Sequence, residues 1–181
     1  QMLMVDAAKT SSASEITVVC PYLGYSRQDR KARGREPVSV RVVINQLGNV
    51  GVDRIVAIDL HSPQTQAIFN GPFDHLTAQP LLRSAVRELV EEPEAKDQYR
   101  IVVPDAGASK MAHYHGRRLG MGLLHMDKTR DREKPGVIVR EASVPEAKDR
   151  TCFMFDDMID TAGTLRSAAD VLHRSGAKRI Y

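Results

Sequence analysis

Three acids and two threonines follow an apolar run late in the chain. Cys152, Phe153, Met154 and Phe155 lead into Asp156, Asp157, Asp160, Thr161, Ala162, Gly163 and Thr164. The run suits a buried parallel strand. Leu165, Ala168, Ala169 and Leu172 then recur at i, i+3, i+4 and i+7, the period of an amphipathic helix. A helix start aims backbone N–H groups and the positive end of its dipole at the preceding loop, which favours phosphate. Gly163 allows close backbone approach, and the Thr161 and Thr164 hydroxyls can donate to phosphate oxygens. The three acids supply acceptors for sugar hydroxyls or for a hydrated magnesium ion. Ordinary capping accounts for Asp160 or Thr161, but not for a pair of acids directly off a buried strand. The stretch reads as a cradle for a phosphorylated sugar.

Four other groupings carry chemistry. Arg27, Arg30, Lys31, Arg33 and Arg35 are five basic residues in nine positions, suited to clamping a polyphosphate. Nucleic-acid binding or nuclear targeting fits less well, because no aromatic platform follows and Asp29 and Glu36 interrupt the charge. A solvated loop is the plain alternative. Asp59-Leu60-His61 ends another apolar run and can bind a magnesium-nucleotide, although magnesium prefers oxygen and such a histidine is more often structural. Asp105, in the turn Pro104-Asp105-Ala106-Gly107, can hold a metal and a pyrophosphate or simply cap the next helix. Lys128 and Arg130 sit two apart in a charged stretch, where they can neutralise a transferring phosphoryl group. Pairing with Asp131 and Glu133 is the competing use, and it contributes little.

The elements that must position these residues alternate. A helix ends over residues 2–9, and a strand with Ile16, Val18, Val19 and Cys20 follows over 15–21. Residues 25–36 form a polar loop, and Val40, Val43, Ile44 and Leu47 mark one face of a helix that Gly51 closes. A strand over 54–59 follows, then a helix whose apolar face is Leu81, Leu82, Ala85, Val86 and Leu89. An acidic linker spans 91–97. Further expectations are a strand at 101–103, a helix over 109–119, a strand near 123–126, a charged loop over 128–134 and a short strand at 137–139. Gly176 closes the last helix, and a final strand opens at 178. The alternation predicts parallel sheets with helices on both faces. Ligand groups then gather at the carboxyl ends of the strands, here Tyr22, His61, Asp105 and Asp156. A division near 76–80 gives two α/β domains, residues 1–77 and 78–181, with a cleft between them.

The 181 residues, 42% hydrophobic and 27% charged, suit a soluble globular chain with one good core or two small ones. No apolar run reaches membrane-spanning length and no signal-peptide pattern opens the chain. A net charge of +3, with the basic residues bunched at 27–35, points to a local anionic ligand more than to nucleic acid. Cys20 and Cys152 each lie inside an apolar run and read as buried thiols of a reducing compartment. The chain begins at Gln1 and stops at Tyr181, and reads as cut at both ends.

Taken in order, the five groupings resemble the ribose-phosphate pyrophosphokinases, or phosphoribosyl pyrophosphate synthetases, over essentially the whole chain. The sugar-phosphate stretch alone is shared with phosphoribosyltransferases. Cys20-Pro21-Tyr22-Leu23-Gly24-Tyr25-Ser26-Arg27-Gln28-Asp29-Arg30-Lys31 and Asp59-Leu60-His61 separate the two families. The resemblance implies an α/β fold of two type I phosphoribosyltransferase-like domains, with mainly parallel sheets flanked by helices. It implies transfer of the diphosphoryl group of ATP to the anomeric hydroxyl of ribose 5-phosphate, giving phosphoribosyl pyrophosphate and AMP for nucleotide biosynthesis. In that scheme Arg27, Gln28 and His61 contact ATP, and His61 and Asp105, with Asp59 beside them, hold Mg2+. Lys128 and Arg130 act on the transferring group. Arg130, Asp156, Asp157, Asp160, Thr161, Ala162, Gly163 and Thr164 bind ribose 5-phosphate.

The resemblance further implies a cytoplasmic homo-oligomer, dimers within hexamers when full-length, with no nucleic-acid or membrane partner. Against the family pattern, the start with its adenine-contacting loop and the C-terminal third are absent. Ala67, Asn70, Ala108 and Met111 replace a usual Gly, Asp, Gly and basic residue. A non-catalytic synthetase-associated regulatory subunit and a plain phosphoribosyltransferase are the competing readings. Intact Lys128, Arg130 and His61 oppose the first, and the 27–35 segment with His61 opposes the second.

Overall fold

The computed structural model of the chain describes residues 1–126, 128–130, 138–140 and 144–181, with 128–130 and 138–140 described by their backbone alone. The chain divides into two compact units, Gln1–Gln79 and Pro80–Tyr181. Among the described residues no helix is long and apolar enough to cross a membrane.

The first unit runs α1 (Met2–Thr10), β1 (Thr17–Cys20), α2 (Ser39–Asn49), β2 (Arg54–Ile58) and β3 (Phe73–Leu76). Its three strands form a parallel sheet in the order β1-β2-β3, with Cys20 opposite Ala57 and Ala57 opposite His75. That register ends the strands nearly level on one edge. Side chains alternate across a strand, so Val18, Cys20, Ile55 and Ala57 share one face. They form a core there with Val5 of α1 and Val40, Ile44 and Leu47 of α2. The other face of this sheet is open, with Val19 56% and Leu76 53% exposed. Gly51, at φ +101°, turns the chain after α2. β3 is absent from the sequence expectation because Phe73-Asp74-His75-Leu76 has no apolar run. It exists through pairing with β2, reinforced by an Arg54–Asp74 ion pair at 2.7 Å.

The second unit holds most of α3 (Gln79–Leu89), then β4 (Tyr99–Val103), α4 (Ser109–Leu119), β5 (Gly122–His125), β6 (Lys128–Arg130), β7 (Ile138–Arg140), β8 (Thr151–Phe153), α5 (Gly163–Arg174) and β9 (Arg179–Ile180). A parallel sheet runs β5-β4-β8-β9. Tyr99, Ile101, Val103 and Phe153 pack with Val86 of α3 and Ala112 of α4. Val102 and Cys152 pack on the other face with Ala168, Val171 and Leu172 of α5. Burial on both faces is why β4 reads from Ile101 to Val103 as a continuous apolar run rather than an alternating one.

Two expectations are corrected here. The apolar face of α3 is not the leucine stripe: Leu81 is 74% exposed, and Leu82 and Leu89 are exposed too, whereas Arg83 and Val86 are buried. Arg83 can turn inward because its guanidinium lies over the Tyr114 ring of α4, 5.0 Å from the centroid. Among the described residues its Nη1 has no hydrogen-bond partner. The charge run predicts a loop from 128, but the backbone of 128–130 is a strand. It pairs antiparallel with β7, Lys128 opposite Arg140 and Arg130 opposite Ile138. Such a ribbon needs only backbone groups to pair, which charge patterning does not reveal. Asp131 and Glu133 lie outside the described residues.

Phe153, 1% exposed, stacks between Tyr99 and Tyr181 at centroid distances of 6.4 and 5.4 Å. Phe153→Ala is expected to cost about 3–5 kcal/mol of stability in urea unfolding.

Candidate functional site

In the second unit the strand ends converge on chemistry. β4 and β8 are neighbours, with Ile101 opposite Phe153, so the loops carrying Asp105 and Asp156 leave the same sheet edge. The chain stays inside the core until Phe155, 7% exposed, whose ring lies under the buried His115 ring of α4. The two centroids are 3.7 Å apart and the planes 6° from parallel. That stack sets where the chain leaves the core, and Asp156 is the first residue to emerge. α5 begins at Gly163 after Ala162, which is left-handed at φ 57°, ψ 17° and makes no side-chain capping hydrogen bond. A left-handed non-glycine costs roughly 1–2 kcal/mol, and such strain concentrates at functional loops. A Cβ added to Gly163 would meet only Thr161 Oγ1, at 3.7 Å. Packing within the chain therefore does not demand glycine there, and the bare backbone leaves room for a ligand at the helix start.

Asp105 has a double character. Its Oδ1 accepts the Ala108 N–H at 3.2 Å, so it braces the start of α4. A Cβ on Gly107 would press within 3.2 Å of that oxygen, which is the local reason for glycine. His125, at the end of β5, has its ring 5.8 Å from that of His113 on α4. Lys128 and Arg130 stand on β6, shortly beyond β5. Their side chains lie outside the described residues.

In the first unit β1 and β2 end side by side, bringing the basic loop and the Asp59-Leu60-His61 turn to one edge. Leu23 and Ser26, both 3% exposed, anchor the loop. Tyr25 is left-handed at φ 63°. Gln28 is tied on both sides, its N–H donating to Tyr25 O at 2.9 Å and its carbonyl accepting from Val40 N–H at 3.4 Å. Glu36, which the sequence shows only as a break in positive charge, organises the loop. Its Oε2 accepts the Ala32 and Arg33 N–H groups at 3.0 and 2.9 Å. Arg27, Arg30, Lys31, Arg33 and Arg35 are all exposed around it. His61 is exposed as well. Asp59 is left-handed at φ 43°, and both its oxygens are engaged. Thr77 Oγ1 donates to one at 2.7 Å and Ala78 N–H to the other at 3.0 Å. His75, which the sequence did not single out, accepts the Leu60 N–H on Nε2 at 2.9 Å. Its partner lies fifteen residues away, so no local pattern marks it.

Among the described residues no three His, Cys, Asp or Glu side chains gather into a ready-made metal site. One or two carboxylates, completed by water and substrate phosphates, is the mode in which magnesium is usually held. The Asp156–Asp157 pair fits that mode. Desolvation at the strand end raises the Asp156 carboxyl above the ordinary aspartate range, and the hydrogen bond with Asp157 and its charge raise it further. The Asp157 N–H, donating to Asp156 Oδ1 at 2.9 Å, pulls the other way. A carboxyl raised in the folded state favours folding below its ordinary pKa, and that contribution is lost as pH rises through the raised value. Asp156→Asn is therefore expected to match the wild type at acid pH and to exceed it in melting temperature near neutrality. Magnesium should raise the wild-type melting temperature more than that of the variant. Thermal scans from acid to neutral pH, with and without the ion, check both. Ala162→Gly relieves the left-handed residue and should add ~1 kcal/mol in the same assay.

The family model for the N-terminal domain of ribose phosphate pyrophosphokinase matches residues 1–51, and that for the phosphoribosyl transferase domain matches residues 73–181. A ribose-phosphate pyrophosphokinase of Bifidobacterium longum is 45% identical over 99% of this chain and 53% of its own length. One from Mycobacterium tuberculosis is 42% identical over 98% of this chain and 53% of its own. The crystal structure of phosphoribosylpyrophosphate synthetase from Mycobacterium smegmatis superposes with a TM-score of 0.80 at 40% identity, covering 99% of this chain and 56% of that one. The chain spans about half the length of the curated relatives it matches. With a phosphoribosyl transferase domain behind this N-terminal domain, the chain belongs to the ribose-phosphate pyrophosphokinase family.

Proposed function

We propose that this chain carries the substrate loops of a magnesium-dependent ribose-phosphate diphosphokinase. In this reaction the anomeric hydroxyl of ribose 5-phosphate attacks the β-phosphorus of ATP. A new C1–O–P linkage forms, the bond between the α,β-bridging oxygen and the β-phosphorus breaks, and AMP leaves as the hydroxyl proton is given up. The observation that carries the reading is the α5 start: a strained Ala162, a glycine that packing does not require, and an acid pair held at an electrostatic cost. None of these helps folding, and all suit a phosphorylated sugar.

Asp156, Asp157 and Asp160 accept from the ribose hydroxyls, and residues 161–164 receive the 5-phosphate at the helix start. Arg27 and Gln28 engage ATP from the first unit's loop, with His61 beside them. Asp105 and the Asp156–Asp157 pair are the oxygen donors suited to Mg2+, and Asp59 acts as a brace rather than a first choice. The bound ion would supply charge neutralisation on the phosphates. Lys128 and Arg130 spread the charge of the transferring group, the main protein contribution in phosphoryl transfer. The reading brings with it a cytoplasmic, homo-oligomeric full-length protein. Buried, free Cys20 and Cys152 suit such a reducing compartment.

Incubating the chain with magnesium, ATP and ribose 5-phosphate should yield AMP and phosphoribosyl pyrophosphate. Lys128→Ala is expected to lower turnover at least about a hundredfold, with ribose 5-phosphate affinity unchanged by calorimetry. Equal loss of both would remove its transition-state role. Asp160→Asn with Thr164→Val should weaken ribose 5-phosphate binding about tenfold or more; unaltered affinity would overturn the assignment of this loop. No product from a chain that still binds ribose 5-phosphate would favour a non-catalytic, regulatory role.

A further inference from the structure

We propose that His75 is a positioning residue, whose Nε2 lone pair holds the Asp59-Leu60-His61 turn in the conformation that presents His61. The proposal rests on the reading of His61 as a nucleotide-binding residue. The turn is not one the backbone adopts unaided, since Asp59 is left-handed at φ 43°. The hydrogen bonds that hold Asp59 and the Leu60 N–H come from β3 and the residues just after it. The Asp59 N–H donates to Leu76 O at 3.0 Å, which extends the β2–β3 ladder by one bond. Thr77 Oγ1 and Ala78 N–H fix the Asp59 carboxylate. Leu60 lies past the ladder and is 6% exposed, so its N–H needs an acceptor inside the protein. His75 Nε2 supplies one at 2.9 Å.

The placement of that acceptor follows from register. His75 stands opposite Ala57, whose methyl leaves the imidazole space on the shared face of the sheet. From there the ring reaches forward past the end of β2 to Leu60. Accepting at Nε2 requires a neutral ring with its proton on Nδ1. Asp59 and Leu60 are thus both clamped from β3, and the next residue, His61, is exposed at the strand edge beside the basic loop. The carboxylate brace ends at Asp59 and core packing holds the Leu60 side chain, so the His75 bond is the one that orients the Leu60 peptide N–H, one residue before His61.

Substitutions on the full chain separate this role from simple packing. In His75→Gln the Oε1 atom lies about as far from the backbone as Nε2, whereas His75→Asn is too short to reach and His75→Leu has no acceptor. Amide hydrogen exchange should show Leu60 protected in the wild type and in His75→Gln, and about tenfold faster in the other two. Calorimetric titration with ATP and magnesium should show a parallel, about tenfold loss of affinity in His75→Asn and His75→Leu, restored by His75→Gln. Ribose 5-phosphate affinity should stay unchanged throughout. If His75→Leu does not fold, the Asn and Gln pair carries the comparison. Unaltered Leu60 exchange in the Asn variant, or unaltered ATP affinity despite faster exchange, overturns the proposal, as does a 15N spectrum showing His75 protonated on Nε2. Failure of the wild type to bind ATP with magnesium would instead overturn the functional reading. The Leu60 exchange rates and the His61 ring resonances, measured without nucleotide, would then decide the positioning role alone.

Discussion

Parallel pairing in register is the constraint on which the rest of the structure depends. A parallel sheet sends every strand's carboxyl end to the same edge, so whatever follows β4 and β8, or β1 and β2, must meet there. The crossover helices required by parallel connections begin at that same edge, with their positive dipole ends directed at the loops. Apolar strands inside and polar loops at one rim are therefore one arrangement seen twice, once in each unit. The second unit realises it fully, with cores on both faces of its sheet. The first unit packs α1 and α2 against a single face of its sheet.

Local costs collect at those rims. Tyr25 and Asp59, and in the other unit Ala162, are left-handed on loops that follow strands, and the Asp156 carboxyl is held beside a second acid. Left-handed backbone alone marks nothing, since Ser12 and Asp149 adopt it in plain turns after α1 and before β8. What distinguishes the first three is position on loops that leave the carboxyl ends of parallel strands. Asp59 is held by Thr77, Ala78 and Leu76, and the strand leading to Asp156 is held by the His115–Phe155 stack. Strain of order 1–3 kcal/mol per residue persists only where surrounding contacts over-determine the conformation.

Much of this was legible in the residues. The apolar runs ahead of His61, Asp105 and Asp156, and the 3.6-residue period after Gly163, located the strands, the last helix and the acids between them. They did so because burial and backbone periodicity act over neighbouring residues. Glu36 was legible in principle, three and four positions from the N–H groups it accepts, but it was read only as an interruption of charge. The face of α3 was misread because leucines line one side of the helix, while a buried cation over Tyr114 settles which side turns inward. That choice depends on a partner some thirty residues away.

The sequence by itself determined the alternation of elements, the strand-end loops and the chemical identity of the groups on them. All of these follow from local pattern. The tertiary structure alone decided that Phe73-Asp74-His75-Leu76 is a strand, that Asp59 serves as a brace, that His75 meets Leu60 and that His115 lies over Phe155. Each of these contacts joins residues well separated in the chain. Their free energy is gained only when the ladder brings both partners together, so no window of sequence can display it.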